Sequence, residues 1–144
     1  QAVKKREIEH QQAIGEPSEV DTKKVASQSL IKSDKMLGKA IYERQCVACH
    51  KLDGTGMPPA FPAIKGSKVA TGPIDAHIEM IVFGGIVNKA MQAYGHILSN
   101  EDIAAVVNYQ RHAFGNDNKA KYGPQAGGIV SAKDVARIKK RSRR

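Results

Sequence analysis

Cys46-Val47-Ala48-Cys49-His50 is the stretch on which the reading of this chain turns, because it joins both of the chain's cysteines to an adjacent imidazole. On a helical turn, residues three apart face the same way. The thiols of Cys46 and Cys49 can therefore each form a thioether to one of two neighbouring vinyl groups, with His50 beneath as a metal ligand. Two other chemistries use paired cysteines. A zinc site needs a second close pair of ligands, and a dithiol redox motif belongs to an alternating strand and helix pattern; neither occurs along the chain. A histidine directly after the second cysteine is required by neither, and it is the mark of a c-type haem attachment site.

Working outward, the 144 residues fit one domain with extensions. There is no tryptophan and few aromatics, so a stretch of about 80 residues needs a staple or cofactor to complete its core. A covalently held macrocycle meets that need. The formal charge of +9 is unevenly placed, since Lys139-Lys140-Arg141-Ser142-Arg143-Arg144 alone holds five cations. That run reads as a solvated tail, and no nucleic-acid partner is expected.

The longest large apolar run, Met80-Ile81-Val82-Phe83, falls far short of a membrane span, so no transmembrane segment is expected in this chain. The chain opens on Gln1 without a basic-then-apolar export signal, and covalent haem attachment is an extracytoplasmic process for the c-type class. The expectation is a processed or excised piece whose export signal or anchor lies upstream.

Three segments are predicted. Residues 1–32, rich in Lys, Glu, Gln and Ser and broken by Gly15 and Pro17, read as a linker or N-terminal extension with at most a short charged helix from Val3 to Ile14. Residues 33–116 read as the haem domain. Ser33 or Asp34 caps a helix through Met36, Leu37, Ile41 and Tyr42 into the motif, and Gly38 within it marks close contact with another helix. The glycines and prolines between Lys51 and Lys68 predict a wrapping loop. Its Met57, Phe61 and Ile64 would face the haem, and the Pro62 carbonyl would accept from the second ring nitrogen of His50. A short helix follows from Ile74 to Phe83, with Ile74, Ile78, Ile81 and Val82 on one side. Ser99-Asn100-Glu101-Asp102 is a capping box opening a helix to about Phe114, with Ile103, Val106, Val107 and Tyr109 as buried candidates and Gly115 closing it. Residues 117–144 read as a C-terminal extension, a loop to Gly128 followed by a basic helix capped by Ser131 to Asp134.

A c-type iron held by one histidine has a sixth position that decides between electron carrier and ligand-binding haem. Of the four methionines, Met36 lies on the helix leading into the motif, Met57 is too near His50 to cross the macrocycle, and Met80 reads as core. Met91, in a loop ahead of the strongest helix, is the predicted ligand. His10 lies in the linker, and His77 and His112 are expected to face solvent, as is His96, the one rival ligand.

In this order, capped helix, haem motif, proline loop, methionine loop and closing helix, residues from about Lys35 to Gly115 resemble class I cytochrome c. Gly38, Tyr42 and Tyr109 match the family's crossing of first and last helices. A narrower likeness joins Phe61-Pro62-Ala63-Ile64-Lys65-Gly66-Ser67, Thr71-Gly72-Pro73, Ala90-Met91-Gln92-Ala93-Tyr94-Gly95, Asp102 to Arg111 and Val130 to Val135. These are similar to the cytochrome domain that ends subunit II of bacterial caa-type cytochrome c oxidases. That subunit also carries two membrane helices and a dicopper domain, and no second cysteine pair exists here to bind copper, so this chain would be its C-terminal part.

The resemblance implies an all-α fold around one covalent haem c, with Cys46, Cys49, His50, Pro62, Ile64 and Met91 around it and His50 and Met91 on the iron. It implies electron transfer with no catalytic site of the chain's own. Electrons would come from a cytochrome c or a quinol-oxidising complex and pass to a dicopper centre. The place would be the periplasm or the outer face of the cytoplasmic membrane, the linker tethering the domain to a membrane complex. The alternatives are a freestanding periplasmic cytochrome, the haem subunit of a dehydrogenase and, with a vacant sixth position, a peroxidase or gas sensor.

Overall fold

Helical periodicity in the sequence becomes a shell of short helices in a computed structural model that describes residues 34–85 and 90–141. Helix α1, residues 34–45, ends at the turn of Cys46 and runs on into α2, Val47–His50. After the proline loop come α3, Lys68–Thr71, and α4, Ile74–Phe83. The longest described element with a defined start, α5, spans Asn100–His112 and is followed by α6, Lys119–Tyr122, and α7, Ala132–Lys139. Among the described residues the extended pairing is one isolated bridge between Met57 and Phe61. The linker reading of residues 1–32, the Ser33 cap and the end of the basic tail lie outside the described residues.

The core is where the sequence pattern places it, with two adjustments at its edge. Ile41, Tyr42, Ile78, Ile81, Val82, Ile103, Val106 and Val107 are buried together. Met36, at 64% exposed, and Leu37 point outward instead. That crossing is made at Gly38. A Cβ there would lie 2.2 Å from the Ala105 carbonyl oxygen on α5, so only a bare α-carbon lets the two backbones meet. Beside it Tyr42, Tyr109 and Phe114 form an aromatic triad with centroids 5.3 to 5.9 Å apart.

Local capping explains the later boundaries. The Ser99 hydroxyl accepts from the Asp102 amide, the forward half of the expected capping box, and acidic residues open α5 while Arg111 and His112 close it, as the helix dipole favours. The helix ends before Phe114, whose φ of 61° leaves the helical region. The stretch from Asn116 to Gly128, expected as loop, holds the single turn of α6, capped by Asn118. At Ser131 the reciprocal box with Asp134 is complete.

From Asp34 onward the described residues share one compact unit, and this includes residues 117–141. Val130, Val135 and Ile138 are buried in the common core, and the Asn108 side-chain amide both donates to the Val130 carbonyl and accepts from its N–H. Outside, the Arg137 guanidinium grips the Asp75 carboxylate at 2.9 and 3.1 Å, while Arg141 reaches Asp75 and Glu79. Hydrogen bonding from Arg137 holds the Asp75 carboxyl below its ordinary value of 3.8. A carboxyl depressed on folding stabilises above its unfolded pKa, and that stability is lost as pH falls through the folded value. The pair is half-exposed, so solvent screening keeps its contribution small. Acid unfolding followed by circular dichroism should therefore show Asp75→Asn losing stability near neutral pH and showing a shallower further loss below about pH 4 than the parent.

Candidate functional site

A cavity of about 810 Å³ lies inside this shell, and the cysteine motif forms part of its wall. Cys46 and Cys49 both line it and both are unpaired thiols. His50 lines the cavity from the last residue of α2, and its Nδ1 lies 2.7 Å from the Pro62 carbonyl oxygen. A carbonyl only accepts, so Nδ1 carries the proton and Nε2 is left with its lone pair free for a metal.

The proline loop is built to present that carbonyl. At Gly56, where φ is +66°, a Cβ would sit 2.6 Å from the carbonyl oxygens of Phe61 and Pro62, so glycine alone admits them. The Gly54 carbonyl accepts from the amides of Ile64 and Lys65. From the far side Asn116, fully buried, accepts from Gly66 N at 2.7 Å and donates to the carbonyls of Ile64 and Gln110. The turn after His50 is fixed by the Tyr42 hydroxyl, which donates to the Lys51 carbonyl at 2.7 Å; burial raises that phenol's pKa well above its ordinary 10.0. Phe61, Pro62 and Ile64 line the cavity. Met57 does not; its bridge to Phe61 turns it outward, 41% exposed.

Met91 lines the same cavity from a separate element. Its loop is stitched to the end of α4: Gly85 N donates to the Met91 carbonyl, Tyr94 N to that of Ile81, and Gly95 N to that of Val82. The Tyr94 hydroxyl, donating to the Gln45 carbonyl at 3.0 Å, ties this loop to the helix that carries the motif. Met80 lines the cavity too, where the sequence reading had it wholly as core. His96 is exposed and is not among the cavity-lining residues. His10 lies outside the described residues.

The expectation that His77 and His112 face solvent is corrected. His77 is 2% exposed, reaches the cavity, and bonds Gln110 Oε1 through Nε2 at 2.7 Å; burial lowers its pKa to about 4. His112 is half-buried and bonds the Gly128 carbonyl. Both lie at helical spacing from apolar core positions, His77 three after Ile74 and four before Ile81. Their spacing was the signal, and their polarity masked it. Gln110 and Arg111, both buried, were missed for the same reason, at seven from Ile103 and four from Val107.

The donor set fits a porphyrin bound through thioethers. Two cysteine sulfurs and a histidine with a free Nε2 line one half-open, mostly apolar cavity with a thioether from another loop. Among the described residues no three His, Cys, Asp or Glu side chains converge to hold an ion by themselves. Fold and cavity together define a small all-α domain of the c-type cytochrome class. The family described as "Cytochrome C oxidase, cbb3-type, subunit III" matches residues 33–109, just over half of the chain. The chain belongs to this family of cytochrome c domains, and its cofactor is covalently bound haem c with its iron.

The relatives include dehydrogenase subunits. The cytochrome c subunit of the quinone-dependent alcohol dehydrogenase of Gluconobacter oxydans (strain 621H) is 32% identical over 71% of this chain and 22% of its own length. The gluconate 2-dehydrogenase cytochrome c subunit of Pantoea cypripedii is 31% identical over 74% of this chain and 25% of its own. The chain thus spans about a quarter of these relatives or less. Cytochrome c-552 of Thermus thermophilus is 32% identical over 58% of this chain and 72% of its own length. Among the described residues no helix is long and apolar enough to cross a membrane.

Proposed function

We propose that this electron-transfer domain holds its haem through Cys46 and Cys49, ligates the iron with His50 and Met91, and serves as the haem module of a dehydrogenase. The observation that carries the ligand assignment is the pairing of His50 Nδ1 with the Pro62 carbonyl, which aims the other ring nitrogen from a cavity that Met91 also lines. When bound, the haem supplies a one-electron couple at its iron. His50, its proton held by Pro62, is a fixed and more basic ligand. Met91 offers a soft thioether that favours the reduced state and raises the potential. Ile64, Phe61 and Ile81 exclude water around them. With His50 and Met91 holding the iron, the chain would leave no position for substrate, which separates this reading from a peroxidase or gas sensor.

The dehydrogenase assignment is supported by the alcohol and gluconate dehydrogenase subunits among the relatives. They favour it over the narrower likeness to subunit II of a caa-type oxidase, whose dicopper acceptor has no counterpart in their names. A freestanding carrier is the second reading, favoured by cytochrome c-552, most of whose length this chain matches. Either places the domain in the periplasm or on the outer face of the cytoplasmic membrane.

Acid acetone should leave the haem on the haem-loaded chain, and a denaturing gel should show a haem-stained band. Cys49→Ala should keep one linkage with a less stable fold. Complete extraction from the parent chain would overturn the attachment. For the partner, membranes containing a quinone-dependent dehydrogenase, given its substrate with the terminal oxidases poisoned, should reduce the domain. Reduction only by an added small cytochrome would return the assignment to an oxidase path.

A further inference from the structure

We infer that Arg111, His77 and Gln110 form a one-way chain of hydrogen-bond donors that carries the positive end of a buried cation to Cys46 Sγ and raises the domain's reduction potential. Arg111 is the positioning residue at its head. The inference deepens the electron-transfer reading above and rests on it.

Arg111 is 0% exposed. Its guanidinium donates to the carbonyls of Gly127, Gly72, Gln125 and Val69, and lies 3.3 Å from His77 Nδ1. No carboxylate of the described residues pairs with it. The groups of the described residues that solvate it are neutral dipoles, so its field extends through the low-dielectric interior toward His77.

The direction of the chain follows by elimination. A guanidinium has no acceptor, so His77 Nδ1 must accept, and the proton of the neutral ring sits on Nε2. That N–H donates to Gln110 Oε1 at 2.7 Å, which leaves the amide nitrogen of Gln110 as a donor, 3.9 Å from Cys46 Sγ. Each N–H in the series therefore points from Arg111 toward the cysteine. His77, Gln110 and Cys46 all line the cavity. Aligned dipoles in a low-dielectric interior reinforce one another, so the cavity next to Cys46 is made electropositive and an added electron is favoured there.

The test uses the haem-loaded full chain. Nitrogen NMR should find His77 protonated on Nε2 and bare on Nδ1. Gln110→Leu, which ends the series one step short of the sulfur, should lower the reduction potential. Arg111→Met should lower it further, and Arg111→Lys, which keeps the charge, should lower it less than Arg111→Met. If the Arg111 variants do not fold, Gln110→Leu and the NMR tautomer decide. A proton on His77 Nδ1 would overturn the inference, as would a Gln110→Leu protein that melts earlier but keeps the parent potential, since that is a packing role alone. Loss of haem on acid extraction would strike the attachment reading instead, so the two failures are distinguishable.

Discussion

Met91→Ala is expected to abolish the weak red charge-transfer band of sulfur-to-iron ligation in the oxidised protein. It should also lower the potential by a substantial part of the about 0.8 V over which axial ligands set haem potentials. The variant isolates the side chain, because what holds the loop is backbone: the Met91 carbonyl accepts from Gly85 N, and Tyr94 and Gly95 donate to carbonyls of α4. Truncation at Met91 therefore removes the sulfur and leaves its frame. Met80→Leu is the matched control, since Met80 is the other methionine on the cavity wall. It should change neither band nor potential. A band that persists in Met91→Ala and vanishes in Met80→Leu would transfer the ligand role to Met80.

The largest expected loss of stability from a single added methyl group is at Gly38. The new carbon would sit 2.2 Å from the Ala105 carbonyl oxygen and 2.9 Å from Tyr109 Cβ, both on α5. The neighbour is helix backbone and cannot swing aside, so α1 must lift from α5. Overpacking costs about 1–3 kcal/mol and here should reach or exceed the top of that range. In a domain of this size that corresponds to a melting point lower by on the order of ten degrees. Thermal unfolding of the haem-loaded Gly38→Ala chain is the measurement, and a melting point within two or three degrees of the parent would refute the tight crossing.

Gly38 also shows what can be read from a sequence. A glycine inside a helical pattern is costly in isolation, so its presence there points to a backbone neighbour. That the haem motif, Pro62 and Met91 share one cavity wall was legible for a similar reason: each is a residue type whose chemistry suits few other uses. What could not be read depended on side chains whose polarity argued one way and whose environment ruled the other. His77, Gln110 and Arg111 look like solvent-facing groups until the carbonyls and rings that partner them are placed, and those partners come from segments 14 to 42 residues away. Asn116 is the same case, bonding to residues 50 and 52 positions earlier. Met57 failed in the opposite sense. It is apolar and near the motif, yet its bridge to Phe61 turns it away from the cavity.

The clamp made by Asn116 and Gly54 has a consequence for speed. When an electron arrives at or leaves a buried centre, the rate is set partly by how much the surroundings must rearrange to accommodate the new charge. Here the loop behind His50 is tied at Gly54, at Ile64 and at Gly66, with bonds that do not depend on the state of the iron. Such a frame has little slack to take up, so this loop is expected to contribute little to the reorganisation energy. The pace of exchange with a partner is then governed by how closely the two centres approach, and changes of partner alter it more than changes in the loop's own sequence would.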